Sequence, residues 1–341
     1  MRDTVTDLPK PIRYLCPRCR TTFPTAAPCI KDGIEVLPDR TGEVLAHRYR
    51  FRRPLGRGAM GVIWEAEQLT LHRKVAVKLM RANDEEAETR FRRGAIVMAK
   101  MSHPNIVALH DYGETMGPEG FEHFLVMDRL EGAPLARFFT RGFTPEQARS
   151  ACLQTLAALE HVHRKGYIHR DVKPANLFVT AVDDDPFVLK LLDFGIARLA
   201  DSATTPEGVI NIERERAMRV TQPLRILGTP EYMAPEQVLG QALDLRVDLY
   251  AVGIMLFHLM TGRLPFRGVD RHELYAAHLR DPMPALAETL VPREDHGTTY
   301  DRDALAPWQH FLQRALAKNP LERFPSALEM RRALAALPAL T

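Results

Sequence analysis

The sequence has too few cysteines to be held together by disulfides. There are four. Three fall between Cys16 and Cys29, and the fourth, Cys152, lies in a segment with helical periodicity. That number and clustering exclude the disulfide framework of a small secreted domain. Long apolar runs are missing too. None approaches the roughly 20 residues a membrane-spanning helix needs. The longest, Leu249–Met260 (LYAVGIMLFHLM), has the length of a buried helix. No apolar signal segment stands at the N-terminus, so a cytoplasmic location is expected, with no membrane contact within this chain. A strong excess of one charge is also lacking. Lys and Arg number 46 against 43 Asp and Glu, a net charge of +3. That is too weak and too dispersed for a nucleic-acid partner. Internal repeats and low-complexity tracts are absent. What is present is an ordinary globular balance, 45% hydrophobic and 26% charged over 341 residues. This is enough for a large two-lobed catalytic domain or two ordinary domains.

Three stretches follow from changes in pattern. Residues 1–47 are rich in Pro, Arg and Thr and carry the cysteine cluster. A new pattern runs over 48–336, and 337–341 form a short tail. Strand-like pieces surround Leu55–Gly61, and KVAVKLM (Lys74–Met80) alternates as a strand does. A charged stretch leads into a helix ending near Met101. NIVALHDYG and HFLVMDRL read as further strands. Beyond about residue 131 the pattern turns helical. Thr144, Pro145 and Gln147 form a helix start with a capping box. NLFVT and VLKLLD are short strands, and 200–227 is a polar segment without periodicity.

Chemistry enters at LGRGAMGVI, which sets Gly56, Gly58 and Gly61 in a G-x-G-x-x-G arrangement. Glycines there let backbone N–H groups approach phosphate. The pattern alone also fits a dinucleotide site, but no βαβ unit follows. The next feature is instead a strand bearing Lys78 among apolar neighbours. Then come HRDVKPANL (His169, Arg170, Asp171, Lys173, Asn176), LLDFGIAR (Asp193), GTPEYMAPE (Thr229, Glu236), VDLYAVG (Asp248) and NPLERFPS (Arg323).

This ordered set resembles the eukaryotic-type (Hanks-type) serine/threonine protein kinases, especially their bacterial members, over about residues 49–336. The resemblance implies an α+β, two-lobed protein kinase-like fold. Its N-lobe, about 48–130, would be a small antiparallel sheet with one main helix. Its C-lobe, about 131–336, would be mostly helical. It implies ATP-dependent phosphorylation of Ser/Thr hydroxyls on proteins, with autophosphorylation and transient homodimers. Asp171 would be the catalytic base and Lys173 would contact the transferred phosphate. Asn176 and Asp193 would hold Mg²⁺. Leu55, Gly56, Gly58, Gly61 and Ile63 would cover the nucleotide. Lys78 would pair with its phosphates, and Ala76 and Leu177 would sandwich adenine. Met127, Asp128 and Leu130 would form the gatekeeper and hinge. Lys173 and Thr229 match the Ser/Thr-specific version. Arg170 would pair with a phosphate on the activation segment. Thr221 is the preferred phosphosite, ahead of Thr204 and Thr205. Glu236 and Arg323 would form a buried ion pair, and Asp248 would anchor the catalytic loop.

Two features fall outside that pattern. Cys16-x-x-Cys19 followed by Cys29 resembles half of a zinc ribbon, and Asp32 stands where a fourth cysteine would be. Asp32 or His47 could complete a zinc site. The alternative is a loose arm with reduced thiols. The second feature is Gly94 in FRRGAIVMAK, where the kinase family carries the Glu that pairs with the strand Lys. Glu88 lies about 240° round the helix from position 94, and Glu86 about 12 Å along the axis. Two readings therefore compete, an active kinase and a nucleotide-binding pseudokinase or scaffold. The intact Asp171, Asn176 and Asp193 favour the enzyme.

Overall fold

The structure is a computed structural model that describes residues 13–58, 61–81, 85–118, 120–139, 142–182, 185–194, 198–199, 229–290 and 302–340. The chain divides into two compact units. The first comprises Met1–Ala95 and Leu109–Arg129, the second Ile96–Ala108 and Leu130–Thr341.

The first unit begins with three two-residue strands, β1 (Tyr14–Leu15), β2 (Thr22–Phe23) and β3 (Leu37–Pro38), ordered β2-β1-β3. Then follow β4 (Val44–Leu45), β5 (Tyr49–Gly58), β6 (Gly61–Gln68), β7 (Arg73–Arg81), α1 (Glu85–Ala99), β8 (Leu109–Gly117) and β9 (Gly120–Asp128). The strands form one six-stranded antiparallel sheet in the order β4-β5-β6-β7-β9-β8. Alternation along β7 sorts its residues between two faces. Val75, Val77 and Leu79 join Trp64, Phe51, Phe124 and Val126 in one core cluster. Met80, on the opposite face with Ala76 and Lys78, packs with Leu125 beneath Phe91 and Ala95 of α1. Ala87, Phe91 and Ala95 recur every four residues, so one stripe of the helix meets the sheet.

The cysteine segment is part of this unit rather than an appendage. Leu15 and Leu45 lie in the same core cluster as Tyr49, Trp64 and Phe124. Arg40 is buried, ion-paired with Glu43 and with Glu122 of β9, and its guanidinium sits 4.9 Å from the Phe51 ring centroid. The stretch after α1 belongs to the second unit because Asn105 ties it there. Its Nδ2 donates to Leu189 O (2.9 Å) and Gln154 Oε1 (3.0 Å).

The second unit contains β10 (Gly132–Pro134), α2 (Pro145–Arg164), β11 (Tyr167–Ile168), β12 (Leu177–Val182), β13 (Asp185–Leu191) and β14 (Arg198–Leu199). Helices follow: α3 (Pro235–Val238), α4 (Arg246–Thr261), α5 (Arg271–Arg280), α6 (Leu286–Thr289), α7 (Arg302–Ala315) and α8 (Ala327–Ala335). β10, β12 and β13 make a small sheet, and β11 pairs with β14. Thr144 caps α2 as expected. Its hydroxyl accepts from Gln147 N (3.2 Å), and its own N–H donates to Gln147 Oε1 (3.0 Å). The apolar run foreseen at Leu249–Met260 is α4, buried on nearly every side and closed by Gly262 at φ 70°. No helix among the described residues is long and apolar enough to cross a membrane. The C-terminal tail is held down: Arg149 donates to Leu337 O (2.8 Å) and Pro338 O (2.7 Å), and Trp308 Nε1 donates to Pro338 O (3.0 Å).

Candidate active site

In the second unit the loop between β11 and β12 gathers the predicted catalytic residues around one carboxylate. Lys173 Nζ lies 2.7 Å from Asp171 Oδ2. Asn176 Nδ2 donates to the same oxygen at 2.9 Å and to Asp171 O at 2.8 Å. Thr229 Oγ1 donates to Asp171 Oδ1 at 3.1 Å and also accepts from Lys173 Nζ. Both carboxylate oxygens are thus positioned by groups from two distant parts of the chain, and all four residues are part-buried.

The loop itself is held from beneath. Asp248, buried in α4, accepts from the backbone N–H of His169 (2.9 Å, Oδ2) and of Arg170 (2.8 Å, Oδ1). His163 Nε2 is 2.8 Å from Oδ2. Burial pushes the Asp248 carboxyl pKa up. The hydrogen bond and charge of His163, with help from His169, outweigh burial and hold it below its ordinary value. His163 was not foreseen as part of this anchor. Its place in the last turn of α2, just ahead of the loop, is the signal that could have pointed to it. Arg170 (φ 69°) and Asp193 (φ 50°) both occupy the left-handed region. That conformation costs a non-glycine residue about 1–3 kcal/mol and clusters at functional sites. Phe194 packs edge-on against His169 with ring centroids 5.0 Å apart. Leu177, at the start of β12, is fully buried.

In the first unit, β5 and β6 bring the glycines together. Gly58 pairs with Gly61, and Gly56 pairs with Ile63. Gly61 has φ 133°, and a Cβ there would stand 1.8 Å from Leu79 O, so no other residue fits. Ile63 pairs with Lys78, and Ala76 with Met127. Directly opposed residues share a face. Gly56, Ile63, Lys78, Ala76 and Met127 therefore lie on one face of the sheet. Leu55 sits at the register shift between Pro54 and Gly56 and is exposed. Asp128 ends β9 opposite Val75, with its carboxylate 2.7 Å from His110 Nε2. Leu130 begins the second stretch of the second unit.

A family profile described as "Protein kinase domain" matches residues 49–333. The chain belongs to the protein kinase family. It is 37% identical over 294 residues to the serine/threonine-protein kinase PknB of Mycobacterium tuberculosis, covering 84% of this chain and 42% of that protein. It is 34% identical over 291 residues to the serine/threonine-protein kinase pkn3 of Myxococcus xanthus, covering 84% and 49% respectively. For the serine/threonine-protein kinase Pkn1 of the same organism the figures are 35% over 318 residues, 92% and 41%. The chain thus spans less than half the length of each of these relatives.

Two further kinase features have clear geometry. Arg323 meets Glu236 in a fork, Nη1 to Oε1 at 2.7 Å and Nη2 to Oε2 at 2.8 Å, with both side chains buried. Its remaining donors reach Ala317 O, Arg246 O and Lys318 O. Gly94 sits buried in the third turn of α1, where the kinase pattern has Glu, and offers no carboxylate. The Glu88 carboxylate, on the same helix, lies 3.1 Å from His123 Nε2 of β9, near enough for an ion pair but not aligned as a hydrogen bond. Thr221, like Thr204 and Thr205, lies outside the described residues.

The kinase match starts after the cysteine cluster. There Cys16, Cys19, Cys29 and Asp32 bring one ligand atom each to within 4.8 Å of one another. His47 is not a member of that group. Hydrogen bonds from the Cys19 and Cys16 thiols hold the Asp32 carboxyl below the usual carboxylate range.

Proposed function

We propose that this kinase domain transfers the γ-phosphoryl group of ATP to serine and threonine hydroxyls of protein substrates. The observation that carries the reading is the Asp171 carboxylate, held by Lys173, Asn176 and Thr229. A carboxylate restrained at both oxygens is pre-oriented to receive a hydrogen bond from an incoming hydroxyl. As the new O–P bond forms, the hydroxyl proton passes to Asp171. The bond between the γ-phosphorus and the bridging oxygen breaks, and ADP leaves with the electron pair. Lys173, beside Asp171, supplies positive charge where the phosphoryl group becomes more anionic. Thr229 joins both residues in one hydrogen-bonded triangle, which supports the Ser/Thr rather than the Tyr version of the site.

The proposed Mg²⁺ ligands are the Asn176 amide oxygen and the Asp193 carboxylate. They are hard oxygen donors of the class Mg²⁺ takes. The Asn176 amide donates through Nδ2 to Asp171, which turns its Oδ1 the other way. When bound, the ion neutralises charge on the phosphates. On the first unit, Gly56, Gly58, Gly61 and Lys78 are the proposed phosphate contacts. Leu55, Ile63, Ala76, Met127, Asp128, Leu130 and Leu177 are the proposed surroundings of the base. Asp248 and the Glu236–Arg323 pair act by positioning the loop and the helices around it. Protein substrates with Ser or Thr acceptors, transient homodimers for autophosphorylation at Thr221 and a cytoplasmic site of action belong to the same proposal. Zinc at the cysteine cluster is a separate one.

The pseudokinase reading rests on Gly94, and the complete Asp171 constellation stands against it. The test is transfer of label from γ-labelled ATP by the purified chain and by Asp171→Asn. Loss of a general base should lower the rate by about 10²–10⁴-fold. Equal transfer by both proteins would refute the assignment.

A further inference from the structure

The stretch 13–38 is built from two turns with one hydrogen-bond pattern. In the first, Cys16 N donates to Thr21 O (2.9 Å) and Arg20 N donates to Cys16 O (3.0 Å). In the second, Cys29 N donates to Ile34 O (2.8 Å) and Gly33 N donates to Cys29 O (2.8 Å). Each turn starts at a cysteine, closes five residues later and places a left-handed residue fifth, Arg20 at φ 61° and Gly33 at φ 65°. The fourth residue is Cys19 in one turn and Asp32 in the other. The aspartate therefore stands where the repeat of the turn calls for a second ligand.

The four side chains converge. Cys19 Sγ is 3.5 Å from Cys29 Sγ, and Asp32 Oδ2 is 3.2 Å from Cys16 Sγ and 3.7 Å from Cys29 Sγ. A tetrahedral zinc ion with its usual bond lengths requires about 3.8 Å between two sulfurs and about 3.5 Å between sulfur and oxygen. These three separations suit one ion at the centre, and all four ligand atoms lie within 4.8 Å of one another. All four cysteines of the chain are free thiols, so no disulfide closes the turns. Nor does a large apolar core. Cys16, Cys29 and Val36 are the buried members of the local cluster, with Tyr14, Cys19, Phe23 and Ile34 around them. A module this small, with two-residue strands, usually needs a metal or cross-link to hold its shape. Arg18, Arg20 and Lys31 within the turns offset the negative charge of three thiolates and a carboxylate.

We propose that Cys16, Cys19, Cys29 and Asp32 bind one zinc ion, and that this ion fixes the module against the six-stranded sheet. Leu15, adjacent to Cys16, lies in the sheet's core cluster with Trp64, Leu79 and Phe124. Glu35, next to Val36, pairs with Arg57 between Gly56 and Gly58 at 2.7 Å. Zinc occupancy therefore sets the backbone on both sides of contacts to the sheet and to the glycine-bearing strand. The inference is independent of phosphotransfer activity.

The test uses the whole chain, purified under reducing conditions, with metal content measured by mass spectrometry and unfolding followed with and without a chelator. The expected result is one zinc per chain, lost in Cys29→Ser and Asp32→Ala and kept in Cys152→Ser, with a lower unfolding midpoint after stripping. Because Cys29→Ser could fail to fold, Asp32→Cys provides a gain-of-affinity arm. A fourth soft thiolate should tighten zinc by about tenfold or more. Cobalt substitution should show stronger thiolate-to-metal charge transfer in that variant. Absence of metal, iron in place of zinc, an unaltered zinc content in Cys29→Ser, or a Cys19–Cys29 disulfide in the isolated chain would each overturn the proposal.

Discussion

Replacing Arg323 with Ala should destabilise the protein far more than a surface arginine would. Arg323 is 2% exposed and Glu236 is 4% exposed. Removing the guanidinium leaves the Glu236 carboxylate buried without its two charge-assisted partners. It also strips a donor from each of three carbonyls, Ala317 O, Arg246 O and Lys318 O. The Tyr250 ring loses the guanidinium 4.7 Å from its centroid. Breaking one side of a buried pair costs about 3–5 kcal/mol, because the stranded charge pays its desolvation penalty alone. For a domain of this size each kcal/mol lowers the melting temperature by about 1.5 °C, so a fall of at least about 4 °C is expected. Thermal unfolding monitored by circular dichroism would measure the fall, and urea unfolding the free energy. The double change Arg323→Met with Glu236→Leu should restore much of the loss, since it removes both charges. A single Arg323→Ala change that costs under about 1 kcal/mol would refute the reasoning, because that is the range of an exposed pair.

Two other predictions read the packing and the proton balance. Burial, with a smaller contribution from Lys318, pushes the His278 pKa down from 6.5 to about 4. The unfolded chain therefore binds a proton between those values that the folded chain refuses, and stability falls as pH drops from about 6.5 towards 4, by up to about 1.4 kcal/mol per pH unit for this group. His278→Gln should flatten the dependence of the urea midpoint on pH across that window, and an unchanged slope would contradict the account. Gly61→Ala should cost at least about 2 kcal/mol, since its φ is 133° and the new Cβ would meet Leu79 O. A wild-type unfolding midpoint for that variant would show that Gly61 is not held against Leu79 O as described.

The loop between β11 and β12 was legible because its motif is local. His169 to Asn176 span eight positions, and Asp193 follows after one strand pair, so the resemblance to the kinases could assign an expected role to each, and the structure does bring Asp171, Lys173 and Asn176 together. The helix at α2 was equally legible, since Thr144, Pro145 and Gln147 write its start in four residues. The buried run at α4 was read from length and apolarity. Other features depend on contacts that sequence spacing does not encode. Arg40 meets Glu122 across 82 positions, a separation that no local pattern encodes. The tail is held by backbone carbonyls of Leu337 and Pro338, acceptors that every residue carries. Leu15 looked like part of a separate cysteine arm, yet it fills the sheet's core. Asp32 was chosen by its offset from Cys29, whereas His47, an equally good ligand chemically, was ruled out only by the path of the chain.

The central claim is that Asp171, held by Lys173, Asn176 and Thr229, performs phosphoryl transfer even though position 94 is glycine. One measurement addresses it most directly: the rate at which the chain and its Asp171→Asn variant place label from γ-labelled ATP on serine or threonine, with nucleotide binding measured on both. The account predicts transfer by the unaltered chain, a loss of about 100-fold or more in the variant, and nucleotide affinity that stays within a few-fold. Retained nucleotide binding with no Asp171-dependent transfer by the unaltered chain would contradict it.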